Sequence, residues 1–93
     1  MKYFDWDQLK NLKLKAERSV SFEDILTAIE EGRILANSMH PNKARYQNQR
    51  VLVVEVEDYA YLVPYVEDGE KIFLKTIIPS RRSTKKYLRG ENQ

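Results

Sequence analysis

The order of patterns along this chain predicts an α+β fold. Two stretches with apolar residues at helical spacing occupy the first 32 positions, three valine- and tyrosine-rich runs joined by turn residues follow after residue 50, and a basic segment comes last. Helices grouped ahead of β-hairpins belong to the α+β class. Links as short as these force antiparallel neighbours. The expected architecture is two N-terminal helices packed on a three- or four-stranded antiparallel sheet, with a short basic C-terminal helix.

Lys2–Asp5 is short, aromatic and suited to extended chain. Trp6, Leu9, Leu12 and Ala16 fall at helical spacing with Asp5 or Asp7 ahead of them, which predicts a helix over 7–18 with its core stripe on those residues. Ser21-Phe22-Glu23-Asp24 has the form of a capping box with Asp24 in place of glutamate. Phe22, Ile25, Leu26 and Ile29 then form an apolar stripe, and Gly32 stands where a helix stops. Beyond Gly32 the period changes. Ile34–Met39 suits a short strand and His40-Pro41-Asn42 a turn. Residues 50–57, 59–66 and 71–78 read as strands, with Glu57-Asp58 and Glu67-Asp68-Gly69-Glu70 as hairpin turns. Pro64 inside the middle run predicts a bulge or a missing ladder bond. Pro79 ends the last run, and Ser80 can cap a helix over 81–88.

With 93 residues, 42% apolar and 32% charged, residues 1–93 form one globular domain. The longest aliphatic run, Val51–Val54, is ended by Glu55, far short of the ~20 residues that span a bilayer. The start of the chain has a cation, then acid, and no long apolar stretch, so no secretory signal is expected. Cysteine is absent and His40 is the only histidine. Disulfide scaffolds, thiolate metal sites and cysteine nucleophiles are thereby excluded, no metal or other cofactor is expected, and a reducing cytoplasm fits. His40, ahead of Pro41, reads as a turn residue.

The net charge of +2 conceals a segregation. Residues 1–32 carry five cations against seven acids, and residues 33–50 carry four cations and no acid. Residues 51–78 carry two cations against six acids, and residues 79–93 carry five against one. Clustered Lys and Arg set a local field whatever the total, which points to a polyanion partner. In the terminal block, Arg81, Arg82, Lys85, Lys86 and Arg89 alternate with Ser80, Ser83, Thr84 and Tyr87, a composition suited to phosphate contacts and base stacking. A second basic, amide-rich segment, Arg45–Arg50, leads into the sheet. Arg50, Tyr61, Tyr65 and Lys75 interrupt otherwise apolar strands, and which face each occupies depends on hairpin register. Phosphate-cradling glycine loops, serine elbows and metal-ligand spacings are absent from the sequence.

Asp5-Trp6-Asp7, Lys10-Asn11, Val20-Ser21-Phe22-Glu23, the three-strand meander and the closing Pro79-Ser80-Arg81-Arg82-Ser83-Thr84 together resemble the BrnT family, over about residues 2–88. Its members are toxins of bacterial type II toxin–antitoxin systems. The resemblance implies a RelE-like fold, a ribonuclease activity that inhibits translation, and a cognate antitoxin that restrains the toxin in a hetero-oligomer. It carries over most directly to Arg81.

Cleaving RNA through the neighbouring 2′-hydroxyl needs a base, an acid for the leaving oxygen, and cations for the phosphorane charge. On this reading Lys75 is the base if its neighbours lower its pKa. Tyr61 or Tyr87 is the acid, and Arg50 and Arg81 stabilise charge, while Arg45, Tyr65, Arg82, Lys85 and Lys86 hold RNA. The expectation is that Arg50, Lys75 and Arg81 converge on one hollow. Two alternatives stand beside it: a ParE-like gyrase inhibitor that cleaves nothing, and a non-enzymatic module binding RNA or antitoxin.

Overall fold

The computed structural model describes residues 2–39, 42, 44, 45 and 48–90. The His40-Pro41 turn and the middle of the basic loop, Tyr46 and Gln47, lie outside the described residues. The chain runs β1 (Tyr3–Asp5), α1 (Gln8–Arg18), α2 (Phe22–Glu30), β2 (Ile34–Met39), β3 (Gln49–Val56), β4 (Tyr59–Asp68), β5 (Lys71–Leu74) and β6 (Ile78–Pro79). A terminal helical segment follows, α-helical at Arg81–Ser83 and π-helical at Thr84–Leu88. The class is α+β. The sheet is larger than the three or four strands expected: among the described residues it has six, ordered β1-β5-β4-β3-β2, with β6 also on β4. It is also mixed, because β1 pairs in parallel with β5 (Tyr3 opposite Lys71). A strand therefore precedes the two helices.

Local chemistry accounts for the helix ends. The Asp7 carboxylate accepts from Leu9 N–H at 2.9 Å and opens α1. Ser21 and Asp24 form the reciprocal capping box of α2, with Asp24 N–H donating to Ser21 Oγ at 3.2 Å and Ser21 N–H to Asp24 Oδ2 at 3.0 Å. Past the end of α2, Gly32 takes φ +76°, a left-handed conformation that glycine adopts without steric cost.

The buried side of α1 is not the Trp6–Leu9–Leu12 stripe. Leu9 and Leu12 are 77% and 60% exposed, while Asn11 and Leu14 are buried. Asn11 turns inward because its amide bridges two elements. Its Oδ1 accepts from Phe22 N–H at 2.8 Å, and its Nδ2 donates to Glu23 Oε1 at 2.8 Å. A buried polar side chain is tolerated when its hydrogen bonds are made, and Phe22 N–H is one of the donors that a helix start leaves over. Trp6 does pack, stacked on Phe22 with ring centroids 5.5 Å apart.

Leu14, Phe22, Ile25 and Ala28 meet Leu52, Val54, Val63, Tyr65, Leu74 and Ile77 in one core between the helices and a single sheet face. The β3–β4 register is unbroken from Gln49 opposite Val66 to Val56 opposite Tyr59, so Pro64 makes no bulge. The reason lies in its orientation. Pro64 C=O accepts from Lys75 N–H at 2.8 Å, towards β5. The N–H position of a strand residue lies on the same side as its C=O. The donor that proline lacks thus faces away from β3. The irregularity falls instead in β2, where the register shifts between Ile34 and Ala36.

The run over 71–78 is two strands rather than one. Leu74 and Ile77 are both fully buried in the core, and a spacing of three cannot be met by an uninterrupted two-residue alternation. The chain therefore leaves the ladder after the Lys75 N–H bond to Pro64, and the Arg18 Nη1 donates to Ile77 C=O at 2.6 Å in the link. No helix among the described residues is long and apolar enough to cross a membrane.

Candidate functional site

Alternation assigns the two sheet faces. Leu52, Val54, Val63 and Tyr65 face α1 and α2. Their neighbours Val51, Val53, Leu62 and Pro64 point the other way, together with Ala36 and Ser38 of β2. That second face would be an open apolar surface were it not for the terminal segment, which lies across its β4 side. Between them is a hollow of about 610 Å³. Its floor is Ala36, Ser38, Val51, Val53, Leu62 and Pro64, with Ile78 at the side, and its wall is Arg82, Ser83, Lys86 and Tyr87. One wall thus carries two cations, a hydroxyl and a phenol over an apolar floor. Lys86 Nζ sits 5.2 Å from the Tyr87 ring centroid, so cation and ring face the hollow as a unit.

The wall is fastened at both ends. Ser80 Oγ accepts from Ser83 N–H at 3.1 Å and caps the first turn. Ser80 N–H donates to Ala60 C=O at 3.0 Å, one rung beyond the β4–β6 pairing. Ala60 N–H in turn donates to Thr84 Oγ1 at 2.9 Å. At the far end Arg89 Nη1 reaches Asp58 Oδ2 at 3.1 Å, in the β3–β4 hairpin.

The structure divides the sequence-expected residues among five places. Arg82, Lys86 and Tyr87 line the hollow, whereas Arg81 and Lys85 are exposed on the same segment outside it. Arg50, Tyr61 and Tyr65 belong to the helix-side face. There Arg50 Nε and Tyr65 Oη both donate to Asn37 Oδ1, each at 3.1 Å. Burial, then the nearby Glu57 carboxylate, pushes the Tyr61 phenol above its ordinary pKa of 10. Lys75 is exposed just past β5, with Nζ 5.9 Å from the Phe73 ring centroid; Phe73 pairs with Val66 and so belongs to the face bearing the hollow. Arg45 is exposed in the loop before β3, its N–H donating to Asn42 Oδ1 at 3.2 Å.

Arg50, Lys75 and Arg81 therefore do not converge on one hollow. Arg50 is separated from Lys75 by the sheet itself, because the unbroken β3–β4 register puts it opposite Tyr65 on the helix side. Sequence reasoning also missed the apolar floor. Its signal was present in Val51–Val54, since a strand apolar at four successive positions is covered on both faces. Among the described residues, no group of three or more His, Cys, Asp or Glu side chains is placed to hold a metal ion.

The chain matches no protein-family model, and no curated protein matches it.

Proposed function

We propose that this chain is the toxin of a bacterial type II toxin–antitoxin pair, BrnT-like with a RelE-like fold, and that it binds and cleaves single-stranded RNA in the hollow beneath its terminal segment. The observation that carries this reading is the apolar floor facing Arg82, Lys86 and Tyr87 across one cavity. An unpaired base needs an apolar or aromatic surface to lie on, and its phosphate needs cations within reach of that surface. The volume suits one or two nucleotides and is too confined for a duplex.

Within the hollow, the RNA 2′-oxygen attacks phosphorus, releasing its proton to water, and a 2′,3′-cyclic phosphate forms as the bond to the 5′-oxygen breaks; Arg82 neutralises charge developing on the phosphoryl oxygens, and Tyr87 supplies a proton to the leaving 5′-oxygen. Lys86 holds the adjacent phosphate. Lys75 and Lys71, both beside Phe73 on the same sheet face, extend the positive surface. The cognate antitoxin restrains the toxin by covering this face, and the site of action is the cytoplasm.

The experiment uses a labelled single-stranded oligoribonucleotide. Anisotropy across a salt series gives affinity and the number of phosphate contacts, and electrophoresis gives cleavage. Arg82→Ala and Lys86→Ala are each expected to flatten the slope of log affinity against log salt by about 0.7 per lost contact. Arg82→Ala is expected to slow cleavage on the order of a hundredfold. A 2′-deoxy substitution at the scissile position should abolish cleavage while leaving binding. Binding without cleavage would favour the non-enzymatic module, and growth arrest with DNA damage and intact RNA would favour gyrase inhibition. A protein that neither binds RNA nor arrests growth refutes the proposal.

A further inference from the structure

The segment carrying the wall is a three-residue α-helical turn followed by a five-residue π-helical one. A helix this short does not hold its shape in water, because nucleation costs more than so few hydrogen bonds return. Its pose must come from what it is fastened to. Thr84 is the only residue of the segment that is buried, at 5% exposed, and it points at β4 while Arg82, Lys86 and Tyr87 face the hollow.

The sheet edge explains why. β6 pairs with β4 at Leu62 and Tyr61, and Ser80 N–H adds a rung at Ala60 C=O. The next donor along the edge, Ala60 N–H, belongs to a fully buried residue and finds no backbone acceptor. The Thr84 hydroxyl takes that place, accepting from Ala60 N–H at 2.9 Å and donating its own proton to Ser80 C=O at 2.8 Å. One oxygen thus continues the β-ladder into the helical turn. The first turn also widens at Thr84, whose C=O accepts from Arg89 N–H five residues on at 3.2 Å. That widening brings Arg89 to its partner Asp58.

We infer that Thr84 is a positioning residue of the hollow: its hydroxyl, set between Ala60 N–H and Ser80 C=O, locks the cationic wall in register over the apolar floor. The inference rests on the functional reading above for its consequence in RNA binding, but not for the geometry. Thr84→Val keeps the shape and removes the hydroxyl. It leaves Ala60 N–H buried without an acceptor, so the segment is expected to lift and detach Arg82 and Lys86 from their pose.

The test compares wild type, Thr84→Val and Thr84→Ser. Trp6, the only tryptophan, stacks on Phe22 on the far side of the sheet, so its emission and the thermal melt report the core independently of the wall. Thr84→Val is expected to keep wild-type Trp6 emission while binding the single-stranded oligoribonucleotide at least tenfold more weakly. Thr84→Ser is expected to lie within about twofold of wild type. Nuclear Overhauser cross-peaks from Ala60 N–H to the side chain at position 84 should be present in wild type and Thr84→Ser and vanish in Thr84→Val. Should Thr84→Val not fold, Thr84→Cys replaces it under reducing conditions, because Ser and Cys differ only in the acceptor atom. Wild-type cross-peaks and affinity in the variant lacking the hydroxyl overturn the inference. If wild type binds no RNA but the cross-peaks behave as stated, the functional reading fails and the positioning role stands.

Discussion

Asn11 offers the most direct test of how the two helices are joined. It is 1% exposed, and its amide accepts from Phe22 N–H and donates to Glu23. Asn11→Leu keeps most of the volume and removes both bonds. Leaving Phe22 N–H buried without an acceptor costs about 1–3 kcal/mol, and the second bond ends on an exposed carboxylate and adds about 0.5 kcal/mol. The expected loss is about 1.5–3.5 kcal/mol. Unfolding entropy near 2.1 cal/mol/K per residue gives roughly 0.2 kcal/mol per degree for a 93-residue chain, so Tm should fall by roughly 8–18 °C. A circular-dichroism melt reads this directly. Carbon-detected titration supplies a second readout, because the Asn11 amide is the first cause holding the Glu23 carboxyl below its ordinary 4.5. A lowered carboxyl pKa contributes stability above its unfolded value and loses it as pH falls through the folded one. In Asn11→Leu the Glu23 titration should move up towards 4.5. A leucine variant as stable as wild type would show that water or a backbone shift satisfies Phe22 N–H, and would refute the argument.

Other expectations follow from the same geometry. Glu57 and Asp58 hold φ of +52° and +66° in the β3–β4 turn, where Asn-Gly is the preferred pair. The double change Glu57→Asn with Asp58→Gly should therefore raise stability by about 1 kcal/mol in urea unfolding, and a loss would mean that the Arg89–Asp58 tether outweighs the backbone cost. Because the Tyr61 phenol is raised by burial, the folded state resists its ionisation; stability should hold below pH ~10 and decline as pH climbs past the ordinary tyrosine value. Tyr61→Phe should flatten that decline, and an unchanged alkaline profile would remove Tyr61 as its cause. Arg18→Met should cost about 1–2 kcal/mol and speed amide exchange over 75–78, since the bond to Ile77 C=O is lost; unaltered exchange there would show that Ile77 burial alone holds the link.

Much of the architecture was legible because local rules and tertiary demands agree. The capping box at Ser21 and Asp24, the stop at Gly32, and the tight turns at Glu57-Asp58 and Gly69 each dictate a boundary on their own. Where they disagreed, packing prevailed. Leu9 and Leu12 lie at helical spacing, yet the amide needed at the start of α2 rotates Asn11 inward and leaves them in solvent. The extra strands came from pairings invisible along the chain, such as Tyr3 beside Lys71. For the site, the basic terminal segment was legible from composition, and three of the residues expected to bind there, Arg82, Lys86 and Tyr87, do line the hollow. The arrangement around it was not, because strand register decides faces: one alternation sends Arg50 to the helix side while its neighbour Val51 floors the cavity.

The parallel β1–β5 pair joins positions 3 and 71, and the wall that closes the hollow begins only at Arg81. Translation therefore delivers the β3–β4 hairpin well before the outer rim of the sheet can zip, and delivers the cations of the wall after both. A polypeptide halted after β5 would have every ladder but the short β4–β6 one, and a bare greasy patch where the cavity belongs, prone to sticking rather than to selective binding.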